Sequence, residues 1–351
     1  MHAPIFIVGA MGSGSTLTRL ILDSHENIAI GQETSFMRLI TAHRWVPYWR
    51  FGDQWFGRLE LSAGELDVEL VRFYSSLFER FARRHGKQRW GEKTPHHVWH
   101  MEEMARLFPD AVFVGIVRHP GGSASSLVGR FGFATTQALS HWLRLNRQLV
   151  HQGCRLGDRF VLLRYEDLVM HSEETMRELL DWLDEPWSPS VLQHHDVQQA
   201  KGAPKLVEGR TLSSDPVDAS RVAKWMTRFD TADRALIGTE TRDWAAFFGY
   251  DVDIPEPVED LVPDACARRR VVNGVELASR RKTFRHRISF KPPPRPKNEG
   301  IFQLPRRQQP PSTGPHENLV RWVADHLPAS LRNALGQVRR SGARMVTRIH
   351  K

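Results

Sequence analysis

The stretch Phe6-Ile7-Val8-Gly9-Ala10-Met11-Gly12-Ser13-Gly14-Ser15-Thr16-Leu17 decides the fold. Apolar residues 5–8 read as a buried strand, the glycines and serines after them as a tight turn, and residues 16–23 as a helix. Small residues let backbone N–H groups converge, and the helix N-terminus adds partial positive charge. Such a turn is built to hold an anion such as phosphate. Against the pattern G-x-x-x-x-G-K-[ST], Gly9, Gly14 and Thr16 fit, but Ser15 stands where the lysine belongs. That lysine supports the β- and γ-phosphates in phosphoryl transfer. Its replacement argues against an ATPase or a kinase.

Working outward, the alternation of strand and helix continues to about Tyr250. Residues 111–117 and 160–163 read as buried parallel strands, with weaker ones at 28–30 and 89–91. Helical spacing predicts helices over 68–84, 97–108, 137–151 and 173–183, the last with Ser172 as its N-cap. The expected fold is α/β: a P-loop-like parallel sheet of about five strands flanked by helices, with a basic C-terminal extension. Residues 1–250 form the expected domain. Residues 251–316, rich in proline and then in basic residues, read as a linker that is largely extended or disordered, with local packing near Val271 to Leu277. Residues 317–351 read as a basic amphipathic helical tail.

A second cluster follows the strand at 111–117: Arg118-His119-Pro120-Gly121-Gly122-Ser123-Ala124-Ser125-Ser126, then Arg130. An arginine at a strand's C-terminal end can grip an anion bidentately. Ser126 and Arg130, four residues apart, share one face if that segment is helical. The chain thus carries two anion-binding elements after two parallel strands, and open sheets bind ligands at that edge.

At these positions the chain resembles the sulfotransferases that use 3′-phosphoadenosine 5′-phosphosulfate (PAPS), and most of all the branch with the protein-tyrosine sulfotransferases and bacterial relatives. The pattern continues through Gly31-Gln32-Glu33-Thr34, Glu92-Lys93-Thr94-Pro95, Tyr165-Glu166-Asp167-Leu168-Val169, Asp181-Trp182-Leu183, Ser213-Ser214-Asp215 and Lys224-Trp225. It covers about residues 4–250 and nothing beyond. The resemblance implies that Gly12, Ser13, Gly14, Ser15 and Thr16 bind the 5′-phosphosulfate. Arg118, Ser126 and Arg130 would hold the 3′-phosphate side, and Tyr165, Ser214 and Lys224 would close over the nucleotide. Glu33 would be the general base, with His97 as the alternative, and Lys93 a cation near the transferred group. The family carries Lys or Arg in the loop at the position of Gly12. Lys93, Arg19 or Lys224 would take over that charge, or the protein is a slow or repurposed member. The spacing between Ser214 and Lys224 is also shorter than in the tyrosine enzymes.

The implied reaction moves a sulfuryl group from PAPS, as co-substrate, to a hydroxyl or amine of an acceptor such as a glycan, lipid, phenol or peptide tyrosine. It needs an in-line acceptor, a base and donors on the leaving phosphate, and no metal. His96 and His97 are adjacent and cannot make an i, i+4 metal pair on a helix. The aromatic group Trp45, Tyr48, Trp49, Phe51, Trp55 and Phe56 fits either an acceptor ring or the packing of a lid, whereas Trp142, Trp182, Trp187, Trp225 and Trp244 read mainly as core. The competing reading is a non-catalytic, nucleotide-binding protein of P-loop type whose basic tail binds a membrane or a partner.

Composition sets the remaining limits. Of 351 residues 40% are hydrophobic and 25% charged, ordinary for a globular chain. The net charge of +9 is uneven: from Arg268 onward there are 20 basic and four acidic residues, against 29 basic and 36 acidic before it. The basicity belongs to the tail, so no nucleic-acid partner is expected for the body. Two cysteines, no apolar run of about 18 residues and no signal-peptide pattern make a cytoplasmic protein the expectation. In the tail, Leu319, Val320, Trp322, Val323, Leu327, Leu331, Leu335 and Val338 recur at helical spacing among arginines. That face suits a peripheral membrane contact, or packing on the domain or on a second subunit of a homodimer.

Overall fold

A computed structural model describes residues 2–37, 40, 52–202, 206–207, 211–212, 215–252, 271–285 and 287–294. Met1–Pro293 is one compact unit, and Pro294–Lys351 a second. The proline-rich stretch from residue 295 and the tail at 317–351 lie outside the described residues, as do Trp45, Tyr48, Trp49 and Phe51.

Strands β1 (Ile5–Gly9), β2 (Ile28–Ile30), β3 (Arg89–Lys93), β4 (Val112–Val117) and β5 (Phe160–Arg164) run parallel in the order β2-β3-β1-β4-β5. β1 is central, with β3 on one side and β4 on the other, so the strand order reverses beside it. Its alternation explains the layers. Phe6 and Val8 enter a core with Trp90, Phe108 and Phe113, while Ile5 and Ile7 enter a second core with Ile21, Leu22 and Val114. Every residue of β1 is buried, as a strand covered on both faces requires.

The helices are α1 (Ser15–Asp23), α2 (Gly52–Arg58), α3 (Ala63–Arg84), α4 (Met101–Leu107), α5 (Pro120–Phe131), α6 (Thr135–Leu156), α7 (Tyr165–Met170), α8 (Ser172–Trp182), α9 (His194–Ala200), α10 (Lys224–Arg228), α11 (Thr231–Phe248) and α12 (Gly274–Phe284). Among the described residues no helix is long and apolar enough to cross a membrane. α3 starts five residues before the expected Val68 because Ser62 and Glu65 form a reciprocal cap: Glu65 N donates to Ser62 Oγ at 3.3 Å, and Ser62 N to Glu65 Oε2 at 2.8 Å.

Three expectations need correction. The helix expected over 97–108 is broken: Pro95–Trp99 forms a 3-10 turn, and α4 starts only at Met101. Ser172 is not the N-cap of α8, since its hydroxyl donates back to Leu168 O at 2.8 Å and His171 takes the cap position. The sheet has a sixth strand, β8 (Val271–Asn273), after the two-residue hairpin strands β6 (Leu206–Val207) and β7 (Thr211–Leu212). β8 pairs antiparallel with β5, and α12 packs on α6 with Leu277 buried. Asn273 caps α12 by accepting from Glu276 N at 2.9 Å. The compact unit therefore extends past residue 250; residues 271–277 pack locally as expected, and the folded segment continues to Phe284.

Candidate functional site

The turn after β1 is held open by two glycines in left-handed backbone, Gly12 at φ +80° and Gly14 at φ +101°. Gly14 precedes α1 without any side-chain cap, leaving the first N–H groups of that helix for a ligand. Ser13 is buried, and its Oγ finds no partner among the described residues. Tyr165, the first residue of α7, lies directly against Gly14: a Cβ there would stand 2.3 Å from the ring's Cδ2. The guanidinium of Arg118 sits 4.1 Å from the centre of that same ring. Burial pushes the Tyr165 phenol up, with Arg118 opposing it.

Arg118 extends from the end of β4. Its carbonyl accepts from Trp142 Nε1 at 2.8 Å, and its Nη2 donates to Arg221 O at 3.0 Å. The next residue fixes the strand-to-helix turn: His119 N donates to Glu166 Oε1 at 3.0 Å, and the hydroxyl of Tyr250 donates to Glu166 Oε2 at 2.6 Å. Burial raises the Glu166 carboxyl above its usual range, and these donors oppose it. His119 Nδ1 accepts from Gly121 N while Nε2 lies 2.8 Å from Asp251 O, which assigns the proton to Nε2. Burial depresses this imidazole to about 4, so it is neutral at physiological pH.

These elements enclose a cleft of about 830 Å³, counting the space open to solvent. One wall is the turn and first helical residues, Gly12 and Gly14 to Leu17. The second is Arg118, Ser126 and Arg130, the last two one turn apart on α5. The third is Tyr165 with Asp215 to Asp218 and Arg221.

Behind the turn lies a second group. Lys93, at the end of β3 and wholly buried, donates from Nζ to Thr16 Oγ1 at 3.3 Å and to Glu33 Oε1. Glu33 is partly exposed. Glu92 Oε1 accepts from Thr34 N, Thr34 Oγ1 and Thr94 Oγ1, at 3.3, 3.0 and 2.7 Å. Its Oε2 lies 2.8 Å from His97 Nδ1, off the line of a good hydrogen bond. Burial acts to raise the Glu92 carboxyl, but His97 and the two threonines outweigh it and hold it low. This buried set positions the segment that carries Glu33.

Residues 4–189 match the profile of the Sulfotransferase family, more than half of the chain. The chain belongs to the sulfotransferase family. It is similar to a protein-tyrosine sulfotransferase of Drosophila melanogaster, 30% identical over 280 residues that cover 74% of this chain and 54% of that one. It is also similar to protein-tyrosine sulfotransferase 1 of Danio rerio, 29% identical over 234 residues, 63% of this chain and 65% of that one. The chain thus spans between about half and two thirds of the length of these curated relatives. Among solved structures, the sulfotransferase domain from the Synechococcus PCC 7002 olefin synthase shares the fold. Its TM-score is 0.51 at 20% identity, over 72% of this chain and 97% of that one.

In this member of the family the cleft brings together Gly12, Gly14, Ser15, Thr16, Arg118, Ser126, Arg130 and Tyr165. Ser13 lies buried at its base, and Glu33 with Lys93 joins through Thr16. His97 is buried against Glu92 and, like Glu33 and Lys93, is not among the residues that line the cleft itself. Lys224 is exposed at the start of α10 and does not line the cleft, and Ser214 lies outside the described residues. Arg19 is buried and donates to Ile30 O at 3.2 Å, at the end of β2. Reading the sequence missed Arg221, Asp215 and Asp218 in the cleft, and Glu92, Glu166 and Tyr250 beneath it. Asp215, Glu92 and Glu166 stood inside the quoted motifs, beside Ser214, Lys93 and Tyr165. Nothing in the sequence marked Tyr250.

Proposed function

We propose that this protein transfers a sulfuryl group from PAPS to a hydroxyl or amine of an acceptor such as a glycan, lipid, phenol or peptide tyrosine. The observation that carries this reading is the bond from Lys93 to both Thr16 and Glu33, which ties a carboxylate and an ammonium to a turn built for phosphate. The donor fits the residues present. Two left-handed glycines open the turn, Ser13 offers a buried hydroxyl with no partner among the described residues, and Arg118, Arg130 and Arg221 supply positive charge on the opposite walls.

PAPS supplies the activated sulfuryl group. The acceptor oxygen forms a bond to sulfur as the bond from sulfur to the 5′-phosphate oxygen breaks. The acceptor proton goes to the Glu33 carboxylate, and the charge left on the phosphate meets Lys93 and the N–H groups of the turn. Of the cations considered for the missing loop charge, Lys93 donates to Thr16 Oγ1 at the start of α1. Arg19 is anchored at β2, and Lys224 faces solvent. A cation at position 12 itself would be strained, because Gly12 has φ +80° and its Cβ would stand 3.0 Å from Ser123 O. That bare position also favours the second reading, a nucleotide-binding relative without transferase activity.

The test is titration with PAP, the product nucleotide, alongside ATP, followed by labelled PAPS offered with phenols, glycans, glycolipids and peptides. PAP should stabilise the protein selectively, and one acceptor class should take up label. Glu33→Gln keeps an oxygen for Lys93. It should retain PAP affinity and lose about 10²–10⁴-fold in turnover, the usual contribution of a positioned base. PAP binding with no transfer to any acceptor would leave the second reading standing, and no PAP binding would remove the first.

A further inference from the structure

The third wall of the cleft carries a cation that no sequence motif marked. Arg221 lines the cleft together with Asp215 and Asp218. Its Nε donates to Asp218 Oδ2 at 3.1 Å, and its Nη2 lies 3.5 Å from Asp215 Oδ2. Two carboxylates are out of place in a cleft made for a polyanion unless they serve the protein when the cleft holds no anion. Ion pairs this exposed are weak, so little is lost when they are exchanged. A charge-assisted contact from arginine to phosphate is among the stronger polar interactions. The backbone of Arg221 is already engaged in the site, since its carbonyl accepts from Arg118.

We propose that Arg221 is a ligand-binding cation of the cleft, held by Asp218 and Asp215 in the absence of an anion and passed to a phosphate of the donor on binding, so that Asp218 lowers the affinity. This rests on the donor reading above. It also accounts for the solvent-facing Lys224: Arg221, three residues earlier, puts the closing charge into the cleft. Asp218 has two separable tasks. Its Oδ1 accepts from Ser220 N at 3.0 Å and Ser220 Oγ at 2.6 Å, capping the short turn Ala219–Arg221, while Oδ2 holds Arg221. Asparagine caps as well as aspartate. Asp218→Asn therefore keeps the turn and removes the charge.

The experiment is calorimetric titration of PAP into the full chain, the two single variants and the double variant, with thermal unfolding as the control for folding. Arg221→Ala should bind PAP about tenfold or more weakly, as loss of a charge-assisted contact predicts. Asp218→Asn should bind about two- to fivefold more tightly, the range set by an exposed ion pair. That gain should vanish in the Arg221→Ala background, which a purely structural role for Asp218 would not produce. Unchanged binding by Arg221→Ala, or a gain from Asp218→Asn that persists without Arg221, overturns the inference and leaves the donor reading intact. Absence of PAP binding by the unmodified chain overturns both.

Discussion

Gly14→Ala tests the geometry of the turn more sharply than removal of any charged side chain. Alanine's Cβ would stand 2.3 Å from Tyr165 Cδ2, 3.0 Å from Cε2 and 3.3 Å from Cγ. Carbon atoms in contact sit at about 3.5–4.0 Å, so the ring must retreat by about 1.2 Å or more. Overpacking of this kind costs about 1–3 kcal/mol. The backbone adds a separate penalty, because φ at +101° costs an L-residue about 1–2 kcal/mol. The variant should thus lose about 2–5 kcal/mol of stability in urea unfolding. Affinity for PAP should fall as well, since the displaced ring is the surface beneath Arg118. The two penalties separate in a Tyr165→Ala background, where Cβ no longer meets the ring. There the same substitution should cost only the backbone strain, about 1–2 kcal/mol. An equal cost in both backgrounds would refute the clash, and a cost under about 0.5 kcal/mol, the range of neutral surface changes, would refute the strained turn.

Two further perturbations probe buried polar contacts, one beside the cleft and one where α1 ends and β2 begins. Tyr250→Phe removes the hydroxyl that donates to buried Glu166 Oε2, and should cost about 1–3 kcal/mol in urea unfolding, the penalty for stripping a buried acceptor; a loss below about 0.5 kcal/mol counts against that bond. Lys87, whose Nζ donates to Ile28 O at 2.7 Å, titrates at about 7 in the folded protein against 10.5 when free, mainly through burial, with Asp23 opposing and Lys201 adding. Between these values the unfolded chain binds more protons, so this group makes stability rise with pH from about 7 to 10.5 and stay level below 7. Lys87→Met should abolish that rise, and parallel stability curves for the two proteins above pH 7 would refute the assignment.

Legibility in the sequence followed distance along the chain. The elements β1, α1, β4 with Arg118, and β5 with Tyr165 could be read because each joins an apolar run to its functional residue within a few positions. The Ser62 and Glu65 cap of α3 was equally local and was passed over for the apolar spacing after it. The bond from Tyr250 to Glu166 crosses 84 positions, and no pattern in one sequence links its ends. β8 escaped because three residues between a proline-rich stretch and a basic helix have no periodicity to recognise. Its pairing depends on an edge of β5 that exists only in the folded sheet.

The place of Lys224 outside the cleft and of Arg221 within its lining shows how packing overrides a motif. Trp225 is buried, stacked on His119 with ring centres 4.7 Å apart, and Gly121 leaves the space it fills. That anchor fixes the rotation of α10. Successive residues of a helix point about 100° apart, so with Trp225 turned inward Lys224 is carried toward solvent. Arg221 belongs to the preceding 3-10 turn, outside the constraint of that anchor, and its backbone is fastened to Arg118 instead. Positive charge in the cleft is therefore set by which side chains the surrounding core leaves free to reach it. The same logic holds at Gly12, where a left-handed backbone against Ser123 strains any side chain, while an ammonium from β3, that of Lys93, donates to Thr16 beside the turn.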